Sequence, residues 1–226
     1  DANLTDAIDY ALLGAYLGEV LVDRIPVLEG VPATVSAEEL KYLGSCASVT
    51  GAISMFHVAG VTPEAPTATH AFAGEPAADE LTVSDEDLAR VLDSLRTFDG
   101  PLDMVMLGNP QYTVRELARL AHWLDGRKIS ANVELLVCTN SFQRTLAERM
   151  GHVATIEAAG AEILDICGCG VRETRFGRHA VRAAERVVTD GVKSALYLRD
   201  AGQVGVAVDT AAECVEAAIR GTWHGG

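Results

Sequence analysis

The sequence predicts an α/β fold, layered, with mostly parallel sheets and two closely packed lobes. Three observations carry that expectation. Short aliphatic runs alternate with helical patterns along the 226 residues, which is the pattern of strands and helices in separate layers. Around the middle, the run Val133–Val137 stops at Cys138-Thr139-Asn140-Ser141, a helical pattern covers Phe142–Met150, and a second run, Ala161–Ile166, ends at Cys167-Gly168-Cys169-Gly170. Apolar run, small polar turn, helix and apolar run spell a βαβ unit with parallel strands. Finally, 49% of the residues are hydrophobic and only 5% aromatic, so the chain can bury a large core that must be aliphatic.

The elements follow in order. Apolar residues Ile8, Leu12, Leu13, Tyr16, Leu17 and Leu21 recur at three- and four-residue steps, so Asp6–Val22 is predicted helical. Ile25–Gly30 is short and extended. Ser36 and Glu39 form a capping box that opens a helix towards Met55, made small-sided by Gly44, Ala47, Gly51 and Ala52. A loop punctuated by Pro and Gly runs from His57 to Thr67. Ala68–Phe72 reads as a strand and Ala73–Thr82 as a linker, which sets a 1–75 portion carrying the His57 loop against a 76–226 α/β lobe. Ser84–Leu95 is a helix with an acidic first turn, favourable for the macrodipole. Leu102–Leu107 is a strand ending at Gly108-Asn109-Pro110, and the box Thr113–Glu116 starts a helix to Leu124 that Gly126 closes. After the central unit come five arginines between Arg172 and Arg186, a strand end at Val187–Thr189, a helix carrying Lys193, Ser194 and Tyr197, a strand at Val204–Val208 and a last helix at Thr210–Ile219.

A net charge of −14 argues against nucleic acid and anionic membranes as partners, since both need basic patches. No apolar run reaches the roughly 18 residues that would span a bilayer, and no signal peptide is evident. The chain opens at Asp1, which points to processing or truncation. Five cysteines, an odd number, fit reduced thiols better than a disulfide scaffold, so the expected location is cytoplasmic.

Several groups could carry chemistry, each against a plainer role. Cys138 and Cys167 each end a strand, at the sheet edge where ligands collect, and could ligate iron or zinc as thiolates. As plain residues they are small packed thiols. Cys167-Gly168-Cys169 is too tight for a zinc knuckle, which wants two to four intervening residues, so Cys169 is the weaker ligand. Cys46 and Cys214 fall within helices and belong to the core. His57 could shuttle a proton or cap a helix end. Pro63 holds Thr62 and Glu64 rigidly on either side. Thr139 and Ser141 flank a helix N-terminus and either bind an anion or cap the helix. Lys193 in the first turn of a helix opposes its dipole, which hints at an anion nearby or else leaves a solvated side chain. The arginine cluster reads as a salt-bridged face. Neither a phosphate loop, a G-x-S-x-G elbow nor an H-E-x-x-H motif is present.

Together these segments resemble a known family. Leu40–Gly44, Gly51–Ala65 with its H-x-x-G-x-T-P-E-A run, Leu107-Gly108-Asn109-Pro110, Val137-Cys138-Thr139, Asp165-Ile166-Cys167 and Thr189–Ala195 are similar, in order, to the aconitase X catalytic domain. The resemblance implies an aconitase-like α/β fold and an iron–sulfur cluster, and dehydration of a small hydroxy acid, either cis-3-hydroxy-L-proline or mevalonate 5-phosphate. It makes Cys138 and Cys167 cluster ligands. It gives His57, Glu64 and Lys193 catalytic roles and sets Thr62, Asn109, Thr139, Ser141 and Thr189 against the substrate. It also implies a small swivel-domain subunit, absent from this chain, and a third cluster cysteine upstream of it. One segment departs: where the family has Thr-Asn-Ser-x-Lys, this chain has Thr189-Asp190-Gly191-Val192-Lys193, losing an amide and a hydroxyl and gaining a negative charge.

Dehydration of a hydroxyproline-like acid is the first expectation. Two rivals stand beside it: a divergent member that binds the acid or a partner without turnover, and a zinc or thiol enzyme built on Cys138, Cys167, Cys169 and His57.

Overall fold

The structure, a computed structural model, describes residues 2–167, 184–200 and 204–225. In chain order its elements are α1 (Ala7–Leu21), β1 (Val27–Leu28), α2 (Ala37–Thr50), β2 (His57–Val58), α3 (Ala68–Ala71), α4 (Asp85–Ser94), β3 (Gly100–Pro101), β4 (Met104–Leu107) and α5 (Val114–Leu124). They continue with β5 (Glu134–Cys138), α6 (Ser141–Arg149), α7 (His152–Ala158), β6 (Glu162–Leu164), β7 (Arg186–Thr189), α8 (Val192–Asp200), β8 (Gly205–Val208), α9 (Ala211–Arg220) and β9 (Thr222–Trp223). The chain forms two compact units, Asp1–Asp93 and Ser94–Gly226, so the Pro- and Gly-bearing segment 73–82 stays within the first.

The first unit is organised by two helices in backbone contact. Capping boxes open both, Asp6 with Asp9 for α1 and Ser36 with Glu39 for α2. Glycines remove the side chains that would hold the helices apart. A Cβ on Gly14 would lie 2.1 Å from the Leu43 carbonyl oxygen, and one on Gly18 would lie 2.0 Å from Thr50 Oγ1. In that gap the Thr50 hydroxyl donates to the Ala15 carbonyl of the other helix at 2.7 Å. Helix α2 ends at Thr50, short of the Met55 expected from its composition. The reason is Gly51: a Cβ there would sit 2.4 Å from Gly18 O, and the next amide, of Ala52, leaves the helix to donate to Val22 O at 2.5 Å. Val22 itself has φ +61°, a strained setting for a β-branched residue, where α1 stops.

Two other expectations change here. Ala68–Phe72 is not a strand. Thr67 accepts from the His70 amide and caps a single helical turn, α3, since a local hydroxyl cap competes well in so short a segment. His57 and Val58, expected in a loop, form β2 and pair in parallel with β1.

In the second unit a five-stranded parallel sheet runs in the order β6-β5-β4-β7-β8. The chain winds outward from β4 to β6, then crosses back to β7 and winds the other way. The doubly wound order places a topological switch point between the carboxyl ends of β4 and β7. Both faces are apolar, as parallel strands require. One alternate set, including Val105, Leu107, Leu135, Val137 and Val188, packs with Leu117, Leu120 and Leu124 of α5, Ile156 of α7 and Val215 of α9. The other, Met104, Met106, Leu136, Cys138, Leu164 and Val187, packs with Leu198 of α8. Arg127 clamps Glu216 of α9 with bonds of 2.6 and 2.8 Å, and Trp223 on β9 donates to Asp209 at 2.9 Å. The central βαβ expectation holds, with β5 and β6 parallel and Cys138 in register with Leu164. Of the arginine cluster, Arg172, Arg175, Arg178 and Arg182 lie outside the described residues, and Arg186 opens β7 with its Nε 3.9 Å from Asp103.

The helix seam makes a direct prediction. Gly14→Ala should force α1 and α2 apart and cost about 2–3 kcal/mol of stability, while Ala at exposed Ser48 in α2 should be neutral within about 0.5 kcal/mol. Denaturant unfolding of both variants checks it, and equal midpoints would contradict the seam.

Candidate functional site

The site is built on the turn that leaves β4. Gly108, with φ +86°, lies so close to β5 that a Cβ would sit 2.2 Å from the Cys138 carbonyl oxygen. On the other side, a Cβ on Gly191 would sit 2.6 Å from the Asn109 carbonyl oxygen. The turn is therefore wedged between the ends of β5 and β7 with no room for side chains, and only glycine fits at both contacts. Past the cis Asn109–Pro110 peptide, the Tyr112 amide donates to Cys138 O at 3.0 Å, the Thr139 hydroxyl donates to Tyr112 O at 2.7 Å, and Gln111 Nε2 donates to Thr139 O at 2.9 Å.

Asp190 ties the other side. Its carboxylate is 6% exposed and accepts from the Gly108 amide at 3.2 Å and from the Tyr112 hydroxyl. A buried carboxylate needs donors, and the Gly108 amide and Tyr112 hydroxyl are among those it has. Its charge also reaches Cys214: burial first, then Asp190 and Asp209, push that thiol well up, and it stays protonated in the core.

Each expected site residue now has a place. Asn109 is buried, and its Nδ2 donates to Ser194 Oγ at 2.6 Å. Cys138 is fully buried on the α8-facing side of the sheet. Cys167 is exposed, and its Sγ donates to Asn109 Oδ1 at 3.7 Å. Thr139 is fully buried with its hydroxyl spent on the turn. Thr189 is fully buried, and its Oγ1 accepts from the Gly191 amide at 3.0 Å. Neither hydroxyl stands open. Ser141 is exposed at the first position of α6, because Asn140 takes the capping role by accepting from Gln143 N at 3.1 Å. Lys193 is half-buried in the first turn of α8 and makes no ion pair among the described residues. Cys169 lies outside the described residues. Cys46 and Cys214 are core residues, as expected.

On the first unit, His57 sits half-buried on β2 at the start of a closed loop. Thr62 Oγ1 accepts from the Val58 amide at 3.0 Å and donates to Val58 O at 3.2 Å, and Gly60 N donates to Ala65 O at 2.8 Å. Thr62 thus shapes the loop, and Glu64 projects exposed from it. Among the described residues, no group of three or more His, Cys, Asp or Glu side chains comes together as a metal site.

Sequence reasoning passed over Tyr112 and Ser194 and read Asp190 as a loss. The available signal was positional: an acid directly after an apolar strand and before Gly191 sits at a sheet edge, where it must find amide or hydroxyl donors.

The second unit is a doubly wound α/β sheet with Cys138, Asn109 and Lys193 near its carboxyl edge, the edge where folds of this order bind ligands. The chain belongs to the aconitase X family: residues 1–93 match the model of the aconitase X second domain and residues 102–220 that of the third domain. It is similar to a cis-3-hydroxy-L-proline dehydratase of Pseudomonas aeruginosa, 34% identical over 98% of this chain and 38% of that protein. It is likewise similar to a phosphomevalonate dehydratase large subunit of Methanothermobacter thermautotrophicus, 36% identical over 70% of this chain and 38% of that protein. The crystal structure of a Thermococcus kodakaraensis aconitase X holo-form superposes with a TM-score of 0.79 at 26% identity, over 96% of this chain and 53% of that one. The chain thus spans well under half the length of these two curated relatives.

Removing the Asp190 carboxylate should loosen the turn. Asp190→Ala strands a buried amide and a buried hydroxyl and should cost about 3 kcal/mol, with Asp190→Asn costing less because one acceptor oxygen remains. Chemical denaturation measures both, and an Asp190→Ala variant as stable as the wild type would remove the clamp.

Proposed function

We propose that this chain is the catalytic part of a hydro-lyase that removes water from a small hydroxy acid, of the cis-3-hydroxy-L-proline kind. The supporting observation is the 34% identity to the Pseudomonas aeruginosa dehydratase across 98% of the chain, together with the thiol of Cys138 at the end of β5 and that of Cys167 in the segment that follows the adjacent parallel strand β6. The second reading, dehydration of mevalonate 5-phosphate, draws on the 36% identity to the Methanothermobacter large subunit. That relative's name also supports a small partner subunit, in which we place the swivel domain.

Cys138 and Cys167 fit an iron–sulfur cluster as two of its thiolate donors, since soft sulfur ligands on neighbouring strand ends are the chemistry such clusters use. A third donor would come from outside the described residues. When bound, the cluster supplies Lewis-acid polarisation of the leaving hydroxyl. The chain's own residues supply the rest. Lys193 and the amides at the start of α8 hold the substrate carboxylate, the positive end of the helix adding to the ammonium charge. Ser141 adds a hydroxyl from the start of α6. Asn109, Thr139 and Thr189 support this edge from within the sheet, and Thr62 holds the loop that carries His57 and Glu64. To His57 and Glu64, on the first unit, we assign proton transfer, in keeping with side chains that carry no hydrogen bond among the described residues. We place the reaction in the cytoplasm, where the thiols of Cys138 and Cys167, which form no disulfide, stay reduced. No helix among the described residues is long and apolar enough to cross a membrane.

Two experiments test the reading on the full-length protein. Cys138→Ser and Cys167→Ser should each lose iron after anaerobic reconstitution while Cys214→Ser keeps it; equal iron in all three sinks the ligand assignment. Lys193→Ala should raise KM about tenfold or more, as loss of a charged contact worth about 1.5–3 kcal/mol would, with little change in Tm. An unchanged KM takes Lys193 out of the site.

A further inference from the structure

We infer that Tyr112 is a positioning residue: its hydroxyl holds the Asp190 carboxylate off Lys193 and the start of α8, and so keeps that ammonium available to the substrate carboxylate. The inference rests on the role given to Lys193 above. Asp190 stands two residues before α8 and three before Lys193. An acid in that place is drawn both to the positive end of the helix and to the ammonium in its first turn. The first intrahelical bond runs from the Ala195 amide to Gly191 O at 3.0 Å, which leaves the amides of Val192, Lys193 and Ser194 without a partner in the helix. Asp190 bonds to none of them. Its carboxylate accepts instead from the Gly108 amide at 3.2 Å and from the Tyr112 hydroxyl, about eighty residues earlier in the chain. Lys193 makes no ion pair among the described residues. Three residues is a spacing over which acid and base do pair in this chain, as Asp87 and Arg90 show in α4.

The phenol is well placed to act as the restraint. Tyr112 is 3% exposed and Asp190 6%, so water is a poor substitute for the hydroxyl. The tyrosine backbone is itself tied to the end of β5, its amide donating to Cys138 O at 3.0 Å and its carbonyl accepting from the Thr139 hydroxyl at 2.7 Å. A buried carboxylate that loses a donor is driven towards another, and the cation in its own segment is the partner that charge favours. Once paired, Lys193 is neutralised. A dissolved substrate anion then competes with an acid tethered to the same short segment, whose effective concentration is far higher. The loss falls on binding, so KM rises while kcat holds.

The test uses the full-length protein with cis-3-hydroxy-L-proline as substrate. Tyr112→Phe, which removes the hydroxyl alone, should raise KM about tenfold while kcat stays within about threefold. Adding Asp190→Asn removes the competing charge and should return KM to within about twofold of the wild type. A Tyr112→Phe protein that melts cooperatively and keeps the wild-type KM overturns the inference. So does a raised KM that Asp190→Asn fails to relieve, which would make Tyr112 a support of the turn alone. Should Tyr112→Phe not melt cooperatively, Asp190→Glu and Asp190→Gln decide. Their side chains share one shape, both are too long for the place Asp190 fills, and only Glu is charged, so KM should be about tenfold higher with Glu than with Gln. Equal values overturn the inference. Failure of the underlying reading is seen separately: an unchanged KM in Lys193→Ala, with Tyr112 and Asp190 intact, takes Lys193 out of the site.

Discussion

The second unit depends on one close approach. At the carboxyl edge of the sheet, the turn after β4 passes between the ends of its two neighbours at backbone distance, with Gly108 against the Cys138 carbonyl and Gly191 against the Asn109 carbonyl. The thiol-bearing end of β5 and the amine-bearing start of α8 are held in one frame by this contact. Tyr112, Thr139 and Gln111 bond the turn to the end of β5, and Asp190 bonds it to the end of β7. Because the elements meet through carbonyls and amides, the spacing along this edge is set by covalent geometry more than by side-chain packing.

That frame accounts for a buried carboxylate at the end of β7. In a chain of net charge −14, a site for an anion needs local positive charge, and an acid three positions before Lys193 would work against it if it faced the ligand. Asp190 faces inward, where the Gly108 amide and the Tyr112 hydroxyl absorb its charge. On this edge the acid is buried among donors, while Lys193 is half-buried in the first turn of α8.

The first unit uses the same device in another setting. Gly14, Gly18 and Gly51 let α1 and α2 meet at backbone distance, and Thr50 bridges them through the Ala15 carbonyl. The loop that carries His57 and Glu64 follows directly, closed on itself by Thr62 and by the Gly60–Ala65 bond. In both units glycines at backbone contacts position the chain, three in the first and two in the second.

Periodicity and end signals along the chain were enough to determine the α/β class, the capped helices starting at Ser36 and Thr113, the parallel β5–β6 pair and the core placing of Cys46 and Cys214. These depend on neighbours in sequence, through hydrogen-bonded caps and alternation of apolar residues, and local rules reach that far. They misled where two tendencies were close in energy: Thr67 turned Ala68–Ala71 into a helical turn, and the α1 backbone ended α2 at Thr50. What only the tertiary structure decided is which polar groups are spent on the fold and which are left over. Thr139 read like Ser141 as a small hydroxyl beside a helix start, yet the first is consumed by the turn and the second stands exposed. Asp190 read as a stray charge until Gly108 and Tyr112, about eighty residues away in sequence, came within bonding distance. A hydrogen bond between distant segments leaves no periodic trace in either of them, so its partners become visible only once the sheet has brought the strand ends together.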